Sequence, residues 1–321
     1  MTDSLEKIER VSIDSLHTDF HVDHVIDYVH KGLQKVDQNY PLELHKKFEK
    51  QRWRVHELDF SQDRVDWNEK LSDDQRKSFL SIATGFHHGE RQVAVDVIPM
   101  ISAMPKDEHK MFMASHLEDE ARHTIFFDRF YREAIGLDAQ DMEETLDKSF
   151  DYMSETFIGS FGFLAYLVDE IRLRPHDRRL LVSALTNYQM WIEGVLALSV
   201  MKITLSFCKE NHVLPSFHKG FLATTRDESR HVQFGMNLLR ELINDDPSLK
   251  TAVYDTIETM LTISSTYTQK IEFASLGLER DALKGIMMKN LQKKFKMINL
   301  PIPDEIQKKL EEIEPEAAAG G

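Results

Sequence analysis

The stretch TTRDESRHVQFGMNLLREL, residues 224–242, sets Glu228 and His231 three positions apart in a run of helical period. SHLEDEARHTIFFDRFYREA, residues 115–134, repeats the arrangement with Glu120 and His123. On a helix, positions i and i+3 share a face and lie close enough to grip one ion together. A single Glu-x-x-His arises often by chance, and its glutamate then pairs at the surface with a neighbour such as Arg122 or Arg230. Two copies on separate long helices raise a sharper question: what else would an ion held between them require?

Two lone glutamates supply the answer. Glu90, in IATGFHHGERQVAVDVI, lies on a face made apolar by Ile82, Ala83, Phe86, Val93, Val97 and Met100. An ionised carboxylate there is costly without a partner. Glu193, in NYQMWIEGVLALSVM, is the only charged residue between Arg179 and Lys202; a carboxylate buried for structural reasons alone is uncommon. Each half of the metal-bearing region thus offers one lone glutamate followed, about thirty residues on, by a Glu-x-x-His. That is the ligand pattern of ferritin-like four-helix bundles.

Charge balance points to two ions, because four ionised glutamates neutralise two divalent cations and would otherwise repel one another with raised pKa values. Carboxylate-rich sites with one imidazole per ion suit iron or manganese better than zinc or copper. The expected arrangement has Glu90, Glu120 and His123 on one ion and Glu193, Glu228 and His231 on the other, with Glu120 and Glu228 as candidate bridges. Such a pair can reduce dioxygen; iron storage would use similar ligands. Asp227 and Asp119 precede the two motif glutamates, and either could hold the free N–H of a ligand histidine. Asp227 is assigned that role and Asp119 a surface position, while His87, His88 and His116 are assigned solvated or capping roles.

The remaining sequence fits one all-α domain spanning residues 1–321. Gly and Pro number only 13 and 9, and the abundant Leu, Met, Glu, Lys and Arg favour helices. Ser72 with Gln75 marks a capping box ahead of a long helix that ends before Pro105. A second helix follows from Pro105 to near Gly136. MEETLDKSFDYMSETFIGSFGFLAYLVDEI is expected as a third, with a kink at Gly159 or Gly162. A fourth starts near His176, and a fifth runs from Pro215 to about Asn244. The metal-bearing helices therefore occupy about 72–245, between a polar extension at 1–70 and accessory helices at 247–313 interrupted by LPIP.

Formal charge is −14, which argues against nucleic acid or an anionic membrane surface as partner. The single cysteine, Cys208, excludes an intrachain disulfide and an all-thiolate metal site, and fits a reducing cytoplasm. No secretory signal is read, and no apolar run is expected to span a bilayer.

From about Trp53 to Gly235 the chain resembles the small subunit of ribonucleotide reductase, and most closely its ligand-binding oxidase relatives. The likeness is carried by RWRVHELDFSQDRVDW, GERQV, DEARH, YQMWIEGVLALS and DESRHVQFG. Those oxidases have a valine three residues after the first ligand glutamate and a tyrosine five before the third-helix glutamate; here these are Val93 and Tyr188. The resemblance implies a manganese–iron or di-iron centre that activates O2, an ether bond joining Val93 to Tyr188, a bound long-chain fatty acid and a homodimer. It also puts Trp53 and Asp227 on an inherited path leading away from the metals. Against a reductase subunit, Phe127 stands where that enzyme usually has a radical tyrosine, and no tyrosine follows Tyr267. Fatty-acyl desaturases and arylamine N-oxygenases use related bundles, the latter with a seventh ligand histidine that this sequence does not single out. Two segments depart from the oxidase pattern. YMSETFIGSFGFLAYLVDEI differs from their channel-lining helix, and LALSVMKI lacks an expected aromatic pair.

Overall fold

The computed structural model describes residues 40–153, 155–266, 273–277 and 280–312; the helical piece expected at HVDHVIDYVHKGLQK and the EPEAAAGG tail lie outside them. The described residues are helical and contain no strand. In chain order the helices are α1 (Tyr40–Gln51), α2 (Ser61–Glu69), α3 (Asp73–Ala103) and α4 (Asp107–Arg129), then α5 (Met142–Ser149), α6 (Glu155–Leu173) and α7 (Arg178–Asn211). After them come α8 (Pro215–Asp245), α9 (Lys250–Thr266), α10 (Arg280–Met297) and α11 (Asp304–Glu312). Helices α3, α4, α7 and α8 form the central bundle: α3 runs along α4, α7 along α8, and α8 closes against α4. The rest wrap around it.

Local chemistry sets the ends of these helices. Ser72 Oγ accepts from Gln75 N at 3.3 Å, and Gln75 Oε1 accepts from Ser72 N at 2.9 Å, so both orphan donors at the start of α3 are satisfied. Helix α4 widens into a π turn over Phe130–Ile135 and stops at Gly136, whose φ of 80° suits a residue without a Cβ. Leu214 precedes α8 with a left-handed φ of 52° and caps nothing with its side chain. Asp63 of α2 does that work instead, accepting from Phe217 N at 2.6 Å and Ser216 N at 3.0 Å. Burial nevertheless pushes the Asp63 carboxyl up to about 6. Gly235 lets α8 press on α7, because a Cβ there would lie 2.5 Å from Cβ of Gln189.

The expected third helix is two helices. Its chain leaves helical geometry through a 3-10 turn at Phe150–Tyr152 and an extended Met153, while Gly159 and Gly162 sit inside an unbroken α6. Thr145 Oγ1 donates to the buried Asp128 of α4 at 2.9 Å and His88 pairs with Ser149 at 3.1 Å. These long-range ties anchor α5, and helical periodicity does not register them. A second difference concerns α7. Among the described residues it alone is long and apolar enough to cross a membrane, yet 89% of its most apolar window is buried inside the protein. It is the core helix of the bundle, and over Thr186–Ala197 it is π-helical, a local widening that often accompanies a functional site.

Candidate dimetal site

Every sequence-predicted ligand meets in one buried place. Glu90 comes from α3, Glu120 and His123 from α4, Glu193 from α7, and Glu228 and His231 from α8; none is more than 6% exposed. Their atoms form two cages. In the first, His123 Nδ1 lies 3.5 Å from Glu90 Oε2, 3.7 Å from Glu120 Oε2 and 3.3 Å from Glu228 Oε1. In the second, His231 Nδ1 lies 3.3 Å from Glu120 Oε1, 3.6 Å from Glu193 Oε1 and 3.4 Å from Glu228 Oε2. Glu120 and Glu228 each send one oxygen to either cage, which is the geometry of a bridging carboxylate.

The donor set fits metal ions. His123 Nδ1, His231 Nδ1, Glu120 Oε2 and both carboxylate oxygens of Glu193 are buried without a hydrogen-bond partner. Buried polar atoms are rarely left so. The other ring nitrogens are occupied: His123 Nε2 donates to Asp227 Oδ2 at 3.2 Å and His231 Nε2 to Asp119 Oδ2 at 3.1 Å. That fixes both tautomers with the Nδ1 lone pair aimed into a cage. The aspartates cross over, since each comes from the helix opposite the histidine it holds. Arg122 and Arg230 neutralise them, with Arg122 donating to Asp119 at 2.7 Å and Asp227 at 3.1 Å, and Arg230 donating at 2.9 and 2.6 Å. The motif arginines therefore serve the aspartates rather than the motif glutamates.

Electrostatics agree with an unneutralised cluster. Burial, then the adjacent Glu120, pushes the Glu90 carboxyl well above the usual range. Burial also opposes ionisation of Glu120, but the neighbouring Glu90, His116 and His123 outweigh it and hold that carboxyl well below the usual range. For Glu193, burial is overcome by His116 and His231. Burial disfavours charge on His123 and His231, yet Glu90 and Glu228 respectively lead the groups that raise them well above an ordinary imidazole. In effect the site shares protons where ions would place charge.

Three expectations fail here. Asp119 is 1% exposed and partners His231; its register on α4, one residue before Glu120, puts it between the two helices. His87 is wholly buried with both ring nitrogens unpartnered, stacked on Tyr131. His116 is not at the surface but inside the second cage, with Nε2 2.7 Å from Glu120 Oε1 and 3.1 Å from Glu193 Oε1. His116, Glu120 and His123 stand at i, i+4 and i+7, one stripe of α4. The spacing was readable, and only the expectation of two histidines concealed it.

Trp53, between α1 and α2, donates from Nε1 to Asp227 Oδ2 at 2.7 Å, so a hydrogen-bonded line runs Trp53–Asp227–His123. Tyr188 donates to Glu120 Oε1 at 2.8 Å. Val93 and Tyr188 line one cleft with Glu90, Glu120, Glu193 and Glu228. The free volume of the cleft is about 30 Å³, well below the roughly 300–1,000 Å³ of a small-ligand site that already stands open. Its far wall is Phe157 and Phe161 of α6, which settle over Gly85 and Gly89 of α3. A Cβ on Gly89 would meet Phe161 Cζ at 2.7 Å. Phe127 is fully buried and stacks on Phe86 at 5.6 Å.

Comparison with known proteins places this geometry. A family model described as "Ribonucleotide reductase, small chain" matches residues 32–301. Solved structures with the same fold include an R2-like ligand-binding oxidase from Sulfolobus acidocaldarius, 24% identical over 84% of this chain and 94% of that one, with a TM-score of 0.71. A variant R2-like ligand-binding oxidase with an anaerobically reconstituted Mn/Fe cofactor is 22% identical over 88% of this chain and 98% of its own, with a TM-score of 0.70. Another such variant, also with an anaerobically reconstituted Mn/Fe cofactor, is 22% identical over 81% and 93%, at a TM-score of 0.69.

Proposed function

This chain belongs to the ribonucleotide reductase small-chain family, its paired carboxylate–histidine cages make it a dimetal oxidoreductase, and we propose that it is an oxidase that turns dioxygen against C–H bonds. The observation that carries the reading is the pair of cages, bridged by Glu120 and Glu228, opening on an apolar cleft that also holds Val93 and Tyr188. Glu90, Glu120, His123 and Glu228 would hold one ion, and Glu120, Glu193, Glu228 and His231 the other. When bound, manganese and iron, or two irons, supply the electrons that reduce dioxygen. Asp119 and Asp227 orient the histidines, and the buried walls keep bulk water from the reacting atoms.

Val93, which lines the same cleft as Tyr188, is the built-in candidate for the C–H bond that is oxidised. Glu120 Oε1, 2.8 Å from the Tyr188 oxygen, is placed to take the phenol proton. An ether between that oxygen and the Val93 side chain costs Tyr188 its O–H hydrogen and Val93 one C–H hydrogen, two electrons passing to dioxygen. Beyond Val93 the Phe157–Phe161 wall is apolar, and an apolar chain such as a long-chain fatty acid is the proposed ligand, entering as those side chains move aside. The homodimer that the family resemblance implies belongs to the same proposal. The test is mass spectrometry of peptides from protein loaded anaerobically with iron, or iron plus manganese, and then exposed to air. A peptide joining the Val93 and Tyr188 segments, lighter by two hydrogens than their sum, is expected. Two bound metals without that link would defeat the crosslink and leave an external substrate.

The Trp53–Asp227–His123 line favours a second reading, a radical-generating small subunit that passes an electron hole outward to a larger partner. On that reading Trp53→Phe abolishes support of a reductase large subunit; on the first, it leaves the crosslink in place.

A further inference from the structure

Within the second cage, His116 is unlike any group the six-ligand arrangement needs. It is fully buried on α4, one turn before Glu120, and its ring lies on that of His231 with centroids 3.4 Å apart and planes within 15°. His116 Nε2 and His231 Nδ1 converge on the same two oxygens. From Glu120 Oε1 they stand 2.7 and 3.3 Å away, and from Glu193 Oε1 3.1 and 3.6 Å. All four atoms lie within 4.8 Å of one another. Ligand atoms bonded at about 2.1 Å to one octahedral ion stand about 3.0 Å apart when adjacent and about 4.2 Å when opposite. The four atoms have the spacing of a coordination shell around a common centre.

Hydrogen bonding alone explains the placement poorly. Nε2 faces Glu120, Glu193 and the Tyr188 hydroxyl, the last at 2.8 Å, and Nδ1 has no partner. Protonated on both nitrogens, His116 would stack a cation on a second imidazole held among carboxylates. Neutral with its proton on Nδ1, it offers the Nε2 lone pair to the cage. Tyr188 keeps a proton acceptor in Glu120 Oε1 either way.

We propose that His116 is a seventh protein ligand, bound through Nε2 to the ion held by Glu193 and His231. This rests on the dimetal reading above and deepens it. The two ions are then chemically unlike. One has a single imidazole, His123, among carboxylates, whereas the other has the parallel pair His116 and His231. Added nitrogen favours iron over manganese at the second position, so the shell itself distinguishes the two metals.

The test is a crystal structure of the full chain loaded anaerobically with ferrous iron, together with metal titrations of His116→Phe and His116→Gln followed by elemental analysis. The expected structure has His116 Nε2 at bonding distance from the second ion. Both variants are expected to keep the first ion and bind the second at least tenfold more weakly. Circular dichroism shows whether each variant folds, and the crystal structure decides without either. Two ions bound with Nε2 turned to Tyr188, and unchanged affinities in both variants, would overturn the seventh ligand and leave the dimetal reading standing. A folded wild-type chain that takes up no iron would overturn both.

Discussion

The two halves of the site are built alike and finished differently. Each contributes a lone glutamate, a Glu-x-x-His, and an aspartate that reaches across to hold the histidine of the other half. Behind the His123 half stands Trp53, bonded to Asp227; among the described residues no tryptophan bonds Asp119 in the His231 half, which instead carries His116 and Tyr188 against its cage. What the halves share is what any pair of ions requires: charge neutralisation, fixed tautomers and burial. What they do not share is what stands beside each: the His123 half is tied through Asp227 to Trp53, and the His231 half meets the cleft at Tyr188.

Breaking the shared part should cost most. Glu193→Ala removes the only carboxylate unique to the second cage, and elemental analysis after anaerobic loading should find one ion per chain where wild type has two. His231→Ala should do the same, while His123→Ala should empty the opposite cage. If either variant kept a full complement, the symmetry described here would be accidental. The crossed aspartates come next. Asp119→Asn and Asp227→Asn should each weaken metal binding roughly 10–100-fold, and the losses should fall on opposite ions, Asp119→Asn on the one held by His231. Equal effects on both ions would mean the network acts as a block. Trp53→Phe sharpens the contrast further, because it touches one half only. It should leave both ions in place and, for an oxidase, leave the Val93–Tyr188 peptide unchanged.

Smaller effects lie outside the cages. Burial, and then His88 beside it, pushes His87 down to about 3. The unfolded chain therefore binds a proton between roughly pH 6.5 and 3 that the folded chain refuses, and stability falls as pH drops through that window. The slope is about 1.4 kcal/mol per pH unit at most. His87→Phe should flatten that part of a denaturation-versus-pH curve and leave the neutral region to packing alone. Ser72→Ala removes the cap of α3 and should cost about 1 kcal/mol in a denaturant titration, with no change in metal content.

Much of this was legible from residue types at fixed spacing. Two Glu-x-x-His motifs, an isolated Glu90 and a Glu193 with no charged neighbour are local signals, and helices hold them in a known orientation. The ends of α3 and α8 were equally plain, because Ser72 with Gln75 and Pro215 act within a turn of themselves. What stayed hidden depends on contacts between distant segments. Asp119 looks like a surface residue until α8 brings His231 to it. The break at Met153 follows from α5 being tied to α3 and α4, which no periodicity within MEETLDKSFDYMSETFIG announces. His116 is a different case, since its stripe with Glu120 and His123 was on the page, but a histidine four residues before a ligand has an ordinary explanation until its ring is found against His231. The cleft depends on the packing of α6 on α3, which seats Phe157 and Phe161 on Gly85 and Gly89.

The central claim is that two ions occupy two cages that share Glu120 and Glu228. The most direct measurement is anaerobic titration of the metal-free chain with ferrous iron, counting ions per chain by elemental analysis in wild type and in Glu193→Ala. Two ions in the wild type and one in the variant are predicted. A wild type that binds none, or a variant that still binds two, would contradict the account.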